Sequence, residues 1–149
     1  MIDGDTVGVE EVHVLDDEVL TAMRQLLPQL SSSAPAVTTA HLEELVSTPA
    51  TRLLVARDAS GTIVGSLTLV VFRIPSGLRV WIEDVVVSEL ARGRGVGSAL
   101  VRAALAMAEK AGARTVDLTS RPDRLEANRL YARLGFAIRT TNVYRFELG

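Results

Sequence analysis

The chain has 149 residues, 48% of them hydrophobic, a net charge of −2 and no cysteine, so one domain at 1–149 with a core at about 7–148 is expected. Composition argues against disorder, and the charge against a nucleic-acid footprint; without cysteine there is no disulfide, thiolate nucleophile or sulfur-bound metal, and no metal site is expected. The acidic start MIDGDTVGVEE has no apolar signal core, and no apolar run reaches the ~18 residues of a membrane span, so a soluble cytoplasmic protein with no membrane partner is expected.

In chain order, Val7 to Leu15 reads as a first strand. Asp16, Asp17 and Glu18 then open a helix, because acids favour its positive dipole end. Val19, Leu20, Met23, Leu26 and Leu27 form its apolar face, and Pro28 is expected to stop it. A serine-rich loop runs to Val37, and a second helix from about Thr39 to Ser47 carries Leu42, Leu45 and Val46. His41 on that helix reads as a surface residue. Arg52 to Arg57 and Ile63 to Phe72 are apolar strands joined by a hairpin turn at Asp58 to Gly61. A turn at Pro75 to Gly77 leads into a further strand from Val80. Beyond residue 95, Val96, Ala99, Leu100, Ala103, Ala104, Met107, Ala108 and Ala111 recur at helical spacing, and Gly112 caps the end. Thr115 to Ser120 is expected as a strand completing a parallel crossover. Pro122 and Asp123 open a last helix that Gly135 ends, and Phe136 to Thr141 with Val143 to Leu148 are expected as a closing strand pair.

The stretch VWIEDVVVSELARGRGVGS, Val80 to Ser98, organises the rest. Its first half is a largely buried strand into which Glu83 and Asp84 are set. Its second half places Gly93, Gly95 and Gly97 at alternate positions beside Arg92 and Arg94, at the start of a helix. Glycine lets successive N–H groups point into one concavity, and the helix start adds unpaired N–H groups and a positive dipole end. This is an anion seat suited to phosphate. A P-loop would need Gly-Lys-Ser/Thr, and Gly97-Ser98 lacks the lysine. A dinucleotide fingerprint fails at its last position, where Ser98 stands, and should begin directly after the first strand rather than after a meander of three.

The spacing Arg92-x-x-Gly95-x-Gly97 resembles the acyl-CoA signature of the GNAT superfamily of N-acetyltransferases. Asn128-x-x-Tyr131, on a helix ending in Gly135-Phe136, resembles that superfamily's second hallmark. With the element order, the likeness covers Val7 to Leu148. It implies an α/β fold, a mixed, splayed sheet flanked by helices. It also implies acetyl-CoA as donor and an amine as acceptor, and it leaves room for a homodimer.

Carried over by resemblance, the backbone of Arg92, Gly93, Arg94, Gly95, Val96, Gly97 and Ser98 holds the CoA pyrophosphate. A handful of charged hydrogen bonds at ~1.5–3 kcal/mol each approaches the ~8 kcal/mol of micromolar affinity. Pantetheine adds as a strand along Val85, Val86 and Val87. The N–H of Val85 or a neighbour polarises the thioester carbonyl. Asn128 contacts the cofactor arm, and Tyr131 serves the departing thiolate. Glu83 is the candidate base, since an amine reaches the site protonated. Strand alternation places it on the face of Trp81, Val85 and Val87, with Asp84 opposite. The plainer readings are a core aromatic for Tyr131, a polar helix residue for Asn128 and a salt bridge from Glu83 to Arg79 or Arg121. A module that senses acetyl-CoA without turnover is the alternative to an enzyme. The acceptor would be bounded by the first two helices, their serine-rich loop and the final strand pair.

Overall fold

The computed structural model describes residues 6–149. Contacts divide the chain into two compact units, the first running through Thr119 and the second from Ser120 to Gly149.

The first unit is built on a five-stranded sheet in the order β1-β2-β3-β4-β5. Its strands are β1 (Gly8–Glu11), β2 (Thr51–Arg57), β3 (Ile63–Ile74), β4 (Gly77–Val87) and β5 (Val116–Asp117). The first four pair antiparallel and β5 joins β4 in parallel, so the sheet is mixed. Three helices belong to this unit: α1 (Asp17–Leu30), α2 (Thr39–Ser47) and α3 (Val96–Lys110). The first strand is shorter than expected, because the chain leaves the ladder after Glu11. Pro28 does not stop α1. Lacking an N–H, it forfeits one hydrogen bond near the helix end, but Ser31 N–H still donates to the Leu27 carbonyl at 3.1 Å and the helix reaches Leu30. The start of α1 follows the acidic cluster, with Asp16 Oδ1 accepting from Val19 N–H at 2.8 Å. Arg57 fastens that end, reaching Glu10 at 2.6 Å and Glu18 at 2.7 Å.

The two faces of the sheet can be told apart by register, since directly opposed residues point the same way. Leu53, Val55 and Val86 share one buried cluster with Val19, Met23, Leu26 and Leu42, so this face lies under α1 and α2. On the other face a Cβ at Gly65 would stand 2.7 Å from Val96 Cγ1 and 3.0 Å from Leu100 Cδ1. Only glycine admits α3 so closely, and its small-residue stripe meets the sheet there. Leu54, Leu67, Leu69, Val80 and Leu100 are all fully buried. Burying each such side chain stabilises the fold by ~1.5–3 kcal/mol.

The second unit contains α4 (Leu125–Arg133). Its helix ends as expected at Gly135, where φ is 100°. The expected strand pair at 136–149 does not form: that segment contains no strand, and Ile138, Val143, Tyr144, Phe146 and Leu148 are exposed. A tight hairpin needs positive φ in its turn, and no residue around Asn142 adopts it. Likewise Thr115 to Ser120 contributes only two strand residues.

Candidate active site

The middle of β4 is irregular. Its register with β3 passes from Thr68↔Glu83 to Ser66↔Val86, so Asp84 and Val85 together oppose Leu67 alone. This is a β-bulge, and Asp84 within it takes a positive φ of 49°. The bulge corrects the alternation expected for this strand. Glu83, opposite Thr68, keeps the face of Trp81, which is opposite Val70. Beyond the extra residue that face passes to Val86, which is 5% exposed and packed under α1. Val87, opposite Gly65, lies on the α3 face. Thus Glu83 does not share a face with Val85 and Val87. The bulge also takes Asp84 and Val85 out of one-to-one register with β3.

On its far side β4 is just as available. Its parallel pairing with β5 involves only Val80↔Val116 and Trp81↔Asp117. From Ile82 to Val87 that edge has no strand partner among the described residues. Val85 and Val87 are half-buried there. An unpaired edge of this kind accepts an extended amide-bearing chain.

The strand leads through a short helical turn, Glu89–Ala91, into the glycine loop. Gly93 and Gly95 adopt φ of 79° and 78°, and Gly95 is the residue from which α3 starts, its carbonyl accepting from Ala99 N–H at 3.0 Å. The N–H groups of Val96, Gly97 and Ser98 precede the first intrahelical bond, and no side chain caps them. Ser98 Oγ is engaged by Arg102 Nε at 3.2 Å, so Ser98 offers its N–H. The Val96 side chain is buried, which fixes the helix start against the sheet. A Cβ at Gly93 or Gly95 would meet nothing within 4 Å. These glycines therefore answer to backbone conformation and to open space, not to crowding. Exposed Arg92 and Arg94 flank that space. Convergent N–H donors, a helix dipole and two guanidinium groups form a donor set that fits a pyrophosphate.

Glu83 is exposed, and its pKa is raised above the ordinary carboxylate value, first by partial desolvation against the sheet and second by the neighbouring Asp84 carboxylate. It makes no ion pair with Arg79. A recess of about 370 Å³ lies between the second half of α1 and the serine-rich loop, with Arg24, Leu27, Ser31 and Val37 in its wall.

In the second unit, Asn128 and Tyr131 are three residues apart on one face of α4. Asn128 is partly committed locally: its Nδ2 donates to the Arg121 carbonyl at 3.0 Å and the Pro122 carbonyl at 3.4 Å, holding the turn that enters the helix. Tyr131 is buried and meets the Phe136 ring edge-on, with centroids 5.8 Å apart. Burial raises its phenol pKa, a shift that Arg124 partly offsets, so the hydroxyl stays protonated throughout the neutral range. Sequence reasoning missed the bulge and the row of side chains beside Glu83. The signal for that row was the shared strand face of Phe72, Val70 and Trp81, legible only once β3 and β4 are paired. Among the described residues no His/Asp/Glu group could hold a metal ion, and no helix is long and apolar enough to cross a membrane.

The acetyltransferase (GNAT) family model matches residues 18–136, and the chain belongs to that family. Among solved structures it is similar to a transcriptional regulator from Bacillus halodurans C-125, at 25% identity and a TM-score of 0.79, covering 96% of this chain and 100% of that one. It is also similar to an acetyltransferase of Trypanosoma brucei, at 26% identity and a TM-score of 0.76, with the same coverage. Glucosamine-6-phosphate N-acetyltransferase from Arabidopsis thaliana shares the fold at 20% identity, with a TM-score of 0.78 over 95% of this chain and 98% of that one. No curated protein matches the sequence.

Proposed function

We propose that the protein is an N-acetyltransferase that moves the acetyl group of acetyl-CoA to a primary amine of a small molecule or an exposed protein amine. The observation behind this reading is continuity. An unpaired β4 edge, loosened by a bulge, runs through one short turn into an open glycine loop at a helix start. A pantetheine amide chain and a pyrophosphate have the chemistry that these two features would hold in that order.

Acetyl-CoA supplies the activated acetyl group; the chain's residues bind, orient and handle protons. The N–H groups of Val96, Gly97 and Ser98, with Arg92 and Arg94, bind phosphate oxygens. Val85 to Val87 pair through their backbone with the pantetheine arm. The N–H of Val85, off the β3 ladder, donates to the acyl oxygen and favours the charge that develops there. Glu83 takes a proton from the amine nitrogen, directly or through one water, as the N–C bond forms and the C–S bond breaks. Its raised pKa brings it nearer the working pH, where a general base is most effective. Tyr131, kept protonated by burial, donates its phenolic proton to the departing sulfur.

The test is release of free CoA from acetyl-CoA over a library of primary amines, read with a thiol reagent. Amine-dependent release supports the enzyme. Tight acetyl-CoA binding with no release from any amine would instead support a sensing module. One similar structure is that of a transcriptional regulator, so both arms of the experiment are informative.

A further inference from the structure

The part of the β3–β4 ribbon beyond the bulge presents a second feature. Three cross-strand pairs follow one another on the face of Glu83: Thr68↔Glu83, Val70↔Trp81 and Phe72↔Arg79. Elsewhere this face is closed by α1 and α2, yet none of these six residues belongs to the buried cluster beneath them. Thr68, Val70, Phe72 and Trp81 are half-buried, while Glu83 and Arg79 are exposed. The result is a strip with an apolar, aromatic floor, a carboxylate at one end and a guanidinium at the other.

Glu83 and Arg79 are four residues apart along one strand, ~13 Å at the usual rise per residue. At that separation the two make no ion pair with each other, and neither enters one among the described residues. Two opposite charges held apart across two aromatic rings are complementary to a ligand with a cation at one end, a flat apolar body and an anion at the other. Arginine suits a carboxylate, to which it can donate two parallel hydrogen bonds, and a tryptophan face favours a planar or cationic neighbour.

We propose that the acceptor is an arylalkyl amine bearing a carboxylate at its far end. Its ring lies on Trp81 and Phe72, its amine reaches Glu83 and its carboxylate meets Arg79. This assignment rests on Glu83 marking the acceptor side of the acetyl-transfer site and adds the class of molecule that binds there.

The chain has one tryptophan, and it is Trp81, so its emission reports directly on the strip. The protein is titrated with 4-(2-aminoethyl)benzoate and, separately, with the uncharged 4-(2-aminoethyl)benzamide, while emission is followed and CoA release is assayed in parallel. The carboxylate probe should bind about tenfold more tightly, the usual worth of one charge-assisted contact. Arg79→Gln should bring the two probes within about twofold of each other, and Glu83→Gln should weaken both alike. Arg79 is exposed, so melting curves of the variant should match those of the wild type. Equal binding of the two probes, no change in Trp81 emission with either, or a preference that survives Arg79→Gln would overturn the assignment. The two readings fail separately. A carboxylate preference without CoA release overturns acetyl transfer and leaves the strip intact. CoA release from both probes without preference overturns the strip and leaves acetyl transfer intact.

Discussion

Replacing Gly95 separates what the glycine loop does for the fold from what it does for a ligand. At φ of 78° a side chain is strained by about 1–2 kcal/mol, the usual penalty of the left-handed region. A Cβ there meets no atom within 4 Å, so no clash adds to that strain. For a chain of this size 1 kcal/mol shifts Tm by roughly 2–4 °C, so apo Gly95→Leu should melt about 2–8 °C below wild type and still unfold cooperatively. The leucine would project into the concavity assigned to the pyrophosphate. Acetyl-CoA at 100 times its Kd stabilises wild type by ~2.7 kcal/mol, a rise of about 5–11 °C that the variant should lack. Differential scanning fluorimetry with and without acetyl-CoA measures both effects on the same samples. A variant that keeps its full cofactor shift would refute the phosphate assignment, and an apo protein that cannot fold would refute the claim that this glycine faces open space.

Three further predictions follow from β4 and α4. Glu83→Gln should lower turnover by ~10²–10⁴-fold and remove the acidic limb of the pH–rate profile, with acetyl-CoA affinity near wild type. Because the folded pKa of Glu83 lies above its unfolded value, its ionisation opposes folding; wild type should lose stability relative to the variant as pH rises from the unfolded to the folded pKa, which paired melting curves across that window would show. Asp84→Gly removes one cause of the raised Glu83 pKa and relieves a positive φ, so the acidic limb should move to lower pH while stability stays within about 1 kcal/mol; an unmoved limb would mean Glu83 is not the titrating base. Tyr131→Phe keeps the ring packed against Phe136 and deletes only the hydroxyl, so kcat should fall with little change in Tm or acetyl-CoA affinity, whereas lost stability with intact turnover would make this tyrosine a core residue.

What the sequence made legible was what depends on neighbours along the chain. Glycine at 93 and 95, the acidic helix start at Asp16 and the turns at 58–61 and 75–77 are local decisions, and the chain makes them as read. Of the misreadings, one is local and the others involve a partner distant in sequence. Pro28 looked terminal because proline breaks helices, but its missing N–H costs α1 one bond in the last turn and the flanking bonds persist. The bulge at Asp84 and Val85 arises from a mismatch in count between β4 and β3, so no pattern within β4 could announce it. The alternation in 136–149 is compatible with strands, yet alternation alone cannot create a ladder, and none forms. The site was legible to the same degree. The loop was read from its own residues, while the strip from Glu83 to Arg79 appears only when two strands are laid side by side.

The insertion in β4 has one more consequence, for chain length. If Asp84 were deleted, Glu83 could remain opposite Thr68 and Val86 opposite Ser66, with Val85 taking the place across from Leu67 alone. Every valine would keep its face, and the ladder would run unbroken. The sheet therefore gains nothing from having eleven residues in this strand instead of ten. A protein shortened by that one position should fold at least as stably and lose the donor proposed at Val85. On the proposed mechanism the extra residue serves the edge of β4 and not the sheet, and its single deletion should raise stability while lowering turnover.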